Sequence, residues 1–401
     1  MDYLVSDREL LFEVAELKSQ NTVAVLKVLR VLFLLCFRSC RLLGEVHHWM
    51  FFNTVARTDH AYFFSIVREQ CSYDKGDLIL KKVFTINFRN ILNVFRCIKL
   101  FPRLKYIEIP KESMNDENLK YIPLNFFERV ILYLYLVRNM DLKRAVSEYN
   151  WSGVKTLVTL YDIGRPEHLA VLAANKNGIN TVVLSHGIMF SWFDYKDPNT
   201  FNLYRIPSQY FLALGSDIKE LAPMFGSDPE VIVCGQPKIE EEPYNPDEDV
   251  IAIASDTRFY HKANAEMIRI AETYAKQHSK HLLVRLHPTD KPSAYSVDEG
   301  ITTFTGDIGN ASVIIGCTTS MIFTYMSQGK RVLRYNDGRP YHAMPSTVVF
   351  SSLSEFEERM QHIREIDFRA IAKPHIDCIG DVSKQKYKEA FDYLNGKINK
   401  D

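Results

Sequence analysis

Beyond residue 155, short apolar runs of the chain alternate with amphipathic segments. Residues 156–161 and 180–185 are rich in Val, Leu and Thr and predict strands, and residues 166–176, opened by a proline, predict the helix between them. Because strands that alternate with helices form parallel sheets covered on both faces, this pattern predicts an α/β protein. It predicts further strands at 209–214, 231–237, 250–254, 281–286, 312–316 and 331–334, and further helices from 217, at 263–277 and at 320–328.

Residues 237–249 interrupt the alternation, since they are acidic, contain prolines and lack periodicity. Such a segment is typical of a surface connection. At 401 residues the chain also exceeds what one hydrophobic core usually supports. The sequence therefore predicts two Rossmann-like, doubly wound domains facing a cleft, residues 1–237 and 238–401. A last helix near 383–393 is the candidate to cross back to the first domain.

The first 150 residues show a weaker pattern. Residues 83–88 and 104–109 are strand-like, and residues 125–139 predict an apolar helix, but their spatial order does not follow from the sequence. Residues 22–43 are apolar and carry four cations, Lys27, Arg30, Arg38 and Arg41. Their uncharged run is too short to span a bilayer. A buried amphipathic helix is expected there, and a basic helix lying on an anionic membrane is the alternative left open.

Composition and charge narrow the function only by exclusion. The chain is 46% hydrophobic and 24% charged with a formal net charge of zero, so nucleic-acid binding is not expected. Any anionic ligand must be held by a local cluster of donors. The seven cysteines are scattered, and Cys36 and Cys40 have no second pair or nearby histidines. We therefore expect reduced thiols in a cytosolic protein and no metal site.

His186 is the first candidate functional residue, because it directly follows the predicted strand 180–185. Loops after the carboxyl ends of parallel strands bind ligands, and a histidine accepts a proton near neutral pH, as a general base must. Gly187 favours close approach of a substrate or an unusual backbone angle. Asp162, at the end of the preceding strand, is placed to orient His186 or to act as the base. A structural histidine and an ordinary loop aspartate are the alternatives.

A second group of candidates follows the strands of the second unit. His287 lies two residues after Arg285, whose side chain should point to the same side of the strand, and this pair suits a phosphate. The loop after 250–254 and the hydroxyl cluster after Gly316 lie at the same predicted edge, where helix N-termini favour anions. Ordinary helix capping is the alternative for the hydroxyls. The candidate phosphate ligands are His287, Arg285, Thr318, Thr319, Ser320, Thr257 and Arg258.

Several common motifs are absent from the sequence. It contains no Gly-x-Gly-x-x-Gly fingerprint, no Walker Gly-Lys-Ser/Thr loop, no His-Glu-x-x-His and no Gly-x-Ser-x-Gly. Nicotinamide-dependent, ATPase, zinc-protease and hydrolase functions are therefore disfavoured.

Taken together, the motifs resemble those of bacterial transferases that build capsules and wall polymers on a GT-B fold. These include capsule polysaccharide transferases, polysialyltransferases, Kdo transferases and CDP-glycerol glycerophosphotransferases. The resemblance covers roughly residues 155–340 and rests on His186-Gly187 and on the segments 233–237, 285–288, 316–320 and 329–332. Polysialyltransferases have an acidic-acidic-Gly motif where this chain has Ser185-His186-Gly187, so sialyl transfer is not favoured.

The resemblance implies a metal-independent glycosyltransferase, or a close glycerophosphate transferase, without a resident cofactor. His186 would be the general base, His287 and the hydroxyl cluster would bind the donor phosphate, and Gly187 and Gly235 would belong to substrate loops. The donor would be CMP-, CDP- or UDP-linked, bound by the C-terminal domain, and the acceptor a glycan or lipid-linked glycan on the N-terminal side.

Two further functions stay open at this point. A nucleotide-sugar 2-epimerase of the same fold would need no acceptor, and a non-catalytic partner in capsule assembly would need no turnover. A cytoplasmic location is expected, with peripheral contact with the inner membrane as the open alternative.

Overall fold

The structure is a computed structural model. It describes residues 24–54, 58–84, 87–108, 121–160, 162, 165–185, 187–189, 203–257, 260–288, 290–338 and 344–398, with residues 11, 14, 17 and 18 before them. Two of the predicted site residues, His186 and Arg258, lie outside these described residues.

The first sheet has seven strands in the order β1-β3-β2-β6-β7-β8-β9. All neighbouring strands are parallel except β1 and β3, which are antiparallel. The strands are β1 (Arg38–Leu43), β2 (Trp49–Phe52), β3 (Lys75–Phe84), β6 (Thr156–Thr159), β7 (Asn180–Leu184), β8 (Tyr210–Ala213) and β9 (Glu230–Val233). A separate two-stranded ribbon pairs β4 (Tyr106–Glu108) with β5 (Tyr121–Pro123).

The second sheet has six parallel strands in the order β12-β11-β10-β13-β14-β15. Strands β13 and β14 bury all their side chains, and β10 buries those of its last four residues, as expected for a sheet covered on both faces. The strands are β10 (Asp247–Ala254), β11 (His281–Arg285), β12 (Thr302–Phe304), β13 (Ala311–Gly316), β14 (Val332–Tyr335) and β15 (Val349–Phe350).

Helices connect the strands and cover both sheets. The prediction of an α/β protein with two Rossmann-like doubly wound domains is thereby confirmed. From residue 24 onwards the helices include the α-helices α1 (Ala24–Phe37), α2 (Thr58–Gln70), α3 (Phe88–Arg96), α4 (Phe126–Ser147), α5 (Arg165–Lys176), α6 (Ile218–Met224), α7 (His261–Gln277), α8 (Met321–Ser327), α9 (Leu353–His362), α10 (Phe368–Ala372) and α11 (Gly380–Ile398).

Each sheet contains a point where consecutive strands are added on opposite sides of one strand. In the first sheet the chain runs from β2 outwards to β3 and later continues at β6, on the other side of β2. In the second sheet it runs from β10 to β11 and β12 and then returns to β13, on the other side of β10. Ligands of open α/β sheets bind beyond the carboxyl ends of the strands at such switch points. A ligand site is therefore expected beyond the carboxyl ends of β2 and β6, or of β10 and β13.

The sequence suggested a single helix over residues 22–43, but the described part of this segment forms a helix followed by a strand. Helix α1 ends at Phe37, and the next six residues form the edge strand β1. In β1 Cys40 and Leu42 are buried while Arg41 and Leu43 are exposed, which is the alternation of a half-buried strand. Pairing with the distant β3 decides this conformation. No helix of the described residues is long and apolar enough to cross a membrane.

The last helix, α11, packs on the first sheet. Tyr387 and Phe391 are fully buried, and the Phe391 ring lies 5.5 Å from that of Trp49 in an edge-on contact. The preceding residues also bond to the end of the first sheet, since the Asp377 N–H donates to the Leu214 carbonyl at 2.9 Å. The chain therefore passes between the two sheets twice, once after β9 and once before α11.

Candidate functional site

Three strands of the second sheet deliver the predicted phosphate ligands to one edge. Strand β10 lies between β11 and β13, and its last residue, Ala254, is level with Arg285 at the end of β11. The loops that carry Thr257, His287 and the hydroxyl cluster after Gly316 therefore leave neighbouring strand ends. The structure thus brings the described candidates of this domain together at the β10/β13 switch point.

A buried carboxylate, Asp256, bridges this switch point. It accepts a hydrogen bond of 3.0 Å from the Thr318 N–H and a short one from the Thr318 hydroxyl. Its own N–H donates to Asn264 Oδ1 at 3.0 Å, and its carbonyl accepts from Asn264 Nδ2 at 3.0 Å. Burial raises the pKa of Asp256 to about 6, although the bonds from Thr318 act in the opposite direction. A phosphate that used Thr318 would have to compete with this carboxylate.

Arg285 and His287 lie beside this pair and are half-buried. The Arg285 guanidinium donates to the Tyr325 hydroxyl at 3.3 Å, and the His287 N–H donates to Ser255 Oγ at 2.9 Å. The backbone of His287 is therefore fixed to the loop after β10. A guanidinium beside a histidine whose backbone is fixed suits a phosphate or diphosphate.

Two buried cations in the same region were not found from the sequence. The Lys330 ammonium lies 5.5 Å from the centre of the Tyr325 ring, and Arg334 Nε donates to the Cys317 carbonyl at 3.2 Å. Lys330 is 6% exposed and Arg334 is 5% exposed. Arg334 interrupts an otherwise apolar buried strand, which was the available signal. Arg334 is level with Gly316 at the end of β13 and adds a cation to Arg285 at this edge, whereas Lys330 precedes β14 and contacts the ring of Tyr325 from the amino-terminal side of that strand.

Thr319 and Ser320 stand at the start of α8. The Met321 N–H donates to Thr319 Oγ1 at 3.4 Å, and Ser320 makes no side-chain capping bond. Helix α8 has seven residues. Its contribution to anion binding is correspondingly small, and the roles of Thr319 and Ser320 stay predictions.

Gly316 is required for α8 to approach β13. A Cβ atom at Gly316 would lie 2.4 Å from Ile322 Cγ2 and 3.2 Å from Thr319 Cγ2. We expect Gly316→Ala to lower the free energy of unfolding by roughly 1–3 kcal/mol, the usual cost of overpacking a core. Urea denaturation measures it. Gly306→Ala is the control, because a Cβ there meets no described atom within 4 Å. Equal stability of the two variants would contradict the packing argument.

The catalytic candidates of the first domain follow β6 and β7, which are neighbours in the sheet. Asp162 is 3% exposed; its Oδ2 accepts from the Ser208 hydroxyl at 3.0 Å, and its carbonyl is 2.9 Å from His168 Nδ1. His186 lies outside the described residues, but Ser185 is described and its hydroxyl donates to the Gly187 carbonyl at 2.9 Å. The structure thus supports Asp162 as a fixed carboxylate and leaves the role of His186 a prediction.

The two predicted substrate-loop glycines differ. Gly187 has no positive φ, and a Cβ there would meet no described atom within 4 Å, so neither backbone angle nor packing demands glycine. Gly235 has a φ of +82°, and a Cβ there would lie 2.3 Å from the Cys378 carbonyl oxygen. Gly235 is therefore needed where the chain returns from the second domain to the first.

A second buried carboxylate, Glu167, occupies the switch point of the first sheet. It accepts from both the Thr54 N–H at 2.6 Å and the Thr54 hydroxyl at 2.5 Å. Thr54 follows β2, and Glu167 lies in the first turn of α5, which follows β6. Burial raises the pKa of Glu167 to about 7, against the opposing effect of the Thr54 bonds. Both switch points therefore hold a carboxylate that accepts the N–H and O–H of one threonine.

Two cavities differ in what lines them. One of about 290 Å³ adjoins the first switch point and is lined by Thr54, Lys82, Arg138 and Pro166 among others. A larger one of about 890 Å³ lies where the chain crosses between the sheets, next to α10 and the start of α11. The larger cavity is lined by none of the predicted site residues. Within the described part of the chain, no cluster of three or more His, Cys, Asp or Glu residues could hold a metal.

Comparisons with known proteins identify the fold but not the family. No family model matches the chain, and no curated protein matches it. Among solved structures, it is similar to a protein from Listeria monocytogenes assigned as a UDP-N-acetylglucosamine 2-epimerase. The identity is 11%, the match covers 88% of this chain and 97% of that one, and the TM-score is 0.50.

The chain is also similar to two further solved structures. The match to MnaA of S. aureus in complex with UDP has 11% identity, covers 86% of this chain and 97% of that chain, and has a TM-score of 0.51. The lipopolysaccharide outer core galactosyltransferase WaaB matches with 14% identity over 65% of this chain and 81% of that one, at a TM-score of only 0.40. At these identities the likeness shows the fold alone, which is of the GT-B kind.

Proposed function

We propose that the chain binds a UDP-linked sugar at the β10/β13 edge and acts on the sugar. The observation that carries the proposal is the convergence of Arg285 and His287 at the switch point of a doubly wound sheet, where the buried Arg334 also lies at the end of its strand. A cationic edge of this kind suits a diphosphate. The likeness to MnaA in complex with UDP supports uridine over other nucleotides.

For the reaction, we propose epimerisation of the sugar nucleotide as the first candidate. The comparisons favour this alternative over the glycosyl transfer that the sequence motifs suggested, because the whole-length likenesses include an epimerase. Inverting a sugar carbon requires a bond to be broken on one face and remade on the other, so acid–base groups must face the ring. Asp162, Glu167 and His186 are the candidates at the edge of the first sheet.

Glycosyl transfer to a glycan or lipid-linked glycan of the bacterial surface is the second candidate. The cavity lined by Thr54, Lys82 and Arg138 favours it, since such a cavity in the first domain suits a polar or anionic acceptor. In that reaction His186 would deprotonate the acceptor hydroxyl while Arg285 and His287 stabilise the departing phosphate. The resemblance to capsule transferases also supports this candidate.

Nucleotide binding is the first test. We expect UDP to raise the thermal unfolding midpoint, because a ligand that binds only the folded state stabilises it by mass action. Arg285→Ala should weaken UDP binding by roughly 10- to 100-fold, as expected for loss of a charge-assisted bond. Arg269→Ala is the matched control, since that arginine is exposed on α7 and pairs with Glu266 of the same helix. Calorimetry measures both affinities.

The outcomes separate the candidates. A UDP-sugar converted to its epimer without acceptor supports epimerisation, whereas release of UDP that requires an acceptor supports transfer. If UDP, CDP and CMP all fail to bind at millimolar concentration, the proposal is wrong and a non-catalytic role in capsule assembly gains support.

A further inference from the structure

Helix α3 presents its apolar face to solvent. Phe88, Leu92 and Phe95 are 70%, 52% and 67% exposed, and their spacing of four and three residues puts them on one side of the helix. The opposite side buries Asn90 and Asn93. This is the reverse of the arrangement expected for a surface helix of a protein surrounded only by water.

Hydrogen bonds fix the helix in this orientation. Asn90 Nδ2 donates to the Leu35 carbonyl of α1 at 3.1 Å, and the Asn87 N–H donates to the Cys36 carbonyl at 2.7 Å. Asn87 also caps α3, because its Oδ1 accepts from the Asn90 N–H at 3.1 Å. The buried amides are thus satisfied by the body of the domain, and rotating the helix to hide its apolar face would break these bonds.

Neighbouring elements extend the exposed apolar surface. Phe84, at the end of β3, is 71% exposed, and its ring lies 6.1 Å from that of Phe33 on α1, itself 50% exposed. Ile98, just beyond α3, is 62% exposed. We call this surface the apolar patch and define it by Phe33, Phe84, Phe88, Leu92, Phe95 and Ile98.

Positive charge surrounds the apolar patch. Residues 78–107 contain seven Lys and Arg residues and no Asp or Glu, in a chain whose net charge is zero. Arg89 and Arg96 are exposed on α3 itself, and Lys99 is exposed next to Ile98. An apolar face flanked by cations is the composition that binds to an anionic lipid surface.

We propose that the apolar patch is a docking surface for an anionic membrane. The apolar side chains enter the boundary between headgroups and acyl chains, and the flanking Arg and Lys side chains contact lipid phosphates. A second copy of this chain fits less well, because a two-fold contact would bring the two basic surfaces together. The proposal is independent of nucleotide binding and of the reaction.

Co-sedimentation of the full chain with lipid vesicles tests the proposal. Wild type should bind vesicles of about three parts phosphatidylcholine to one part phosphatidylglycerol, and bind pure phosphatidylcholine much more weakly. The triple variant Phe88→Ser, Leu92→Ser and Phe95→Ser should lose at least roughly 10-fold in partition, because each side chain buries apolar area in the bilayer. Arg89→Ala with Arg96→Ala should reduce the preference for the anionic vesicles.

The control carries Met224→Ser and Val382→Ser, which remove exposed apolar side chains (57% and 61%) outside the apolar patch. It should bind vesicles like wild type, and thermal unfolding should show that both serine variants are folded. Absence of vesicle binding by wild type, or equal binding by the triple variant, would overturn the proposal. A concentration-dependent dimer that the triple variant loses, without vesicle binding, would show that the surface contacts a second copy instead.

Discussion

His186→Ala is expected to lower turnover by roughly 10²- to 10⁴-fold, the usual contribution of a general base. The residue directly follows Ser185, at the carboxyl end of β7, and the neighbouring strand β6 leads to Asp162. Nucleotide affinity should not change, because Arg285 and His287 lie on the other sheet. Chromatography of UDP-N-acetylglucosamine incubations, with and without acceptor, measures both the epimer and released UDP.

Two variants distinguish a catalytic Asp162 from an Asp162 that only positions its loop. If Asp162 acts on the substrate, Asp162→Asn should also abolish turnover, whereas Ser208→Ala, which removes only one donor to the Asp162 carboxylate, should reduce it slightly. If Asp162 only positions its loop, both variants should have similar, small effects. His362→Ala is the control, since this histidine is 66% exposed at the end of α9. Wild-type-like turnover of His186→Ala would rule out the general-base assignment.

The fold beyond residue 155 could be predicted because its strands are buried on both faces. Continuous apolar runs such as residues 312–316, which lie in β13, lack the alternation of polar and apolar residues that a surface strand shows. Helices with clear amphipathic patterns separate these runs. Before residue 155 the same reasoning succeeded only in part: the helix predicted at 125–139 corresponds to α4, and the strand-like segment 104–109 contains β4. Residues 83–88 were predicted as a strand, yet the strand ends at Phe84 and Phe88 begins α3. The apolar face of α3 points outward, so its pattern does not report burial.

From the sequence, the candidate site could be predicted only for residues that lie at the end of a strand or in the loop that follows it. Arg285, His287 and Thr318 were predicted to lie at one edge of the sheet because each lies at or just after the end of a strand, and the structure places them there since parallel strands end at the same edge. The buried carboxylates were missed, since their environment comes from distant residues. Thr318 is 62 residues from Asp256, and Thr54 is 113 residues from Glu167. No local pattern encodes these pairs.

The buried carboxylate at the first switch point should make the stability of this domain depend on pH. Burial raises the pKa of Glu167 from an ordinary value of 4.5 to about 7. The folded state therefore holds a proton that the unfolded state releases near pH 4.5. Stability is greatest below the unfolded pKa and falls as the pH rises towards 7, by roughly 3 kcal/mol for a shift of this size. Above pH 7 the loss is complete and the curve is flat.

Glu167→Gln should remove this pH dependence, because a neutral amide carries no charge to desolvate and its carbonyl oxygen still accepts from Thr54. Relative to wild type, the variant should gain up to roughly 3 kcal/mol at pH 8 and almost nothing at pH 4. Urea denaturation followed by fluorescence of Trp49 and Trp151 measures this difference. The control Glu355→Gln should show the opposite sign, since bonds from Ser351 lower the pKa of that exposed carboxylate.

A Glu167→Gln variant less stable than wild type at pH 8 would contradict the argument. It would mean that the two bonds from Thr54 stabilise the charged carboxylate by more than burial penalises it.

The raised pKa of Glu167 also bears on the proposed function. A carboxyl group that exchanges its proton near pH 7 at a switch point is suited to acid–base work on a bound sugar. Loss of turnover in the stabilised Glu167→Gln variant would therefore identify a group kept for its chemistry at the expense of stability.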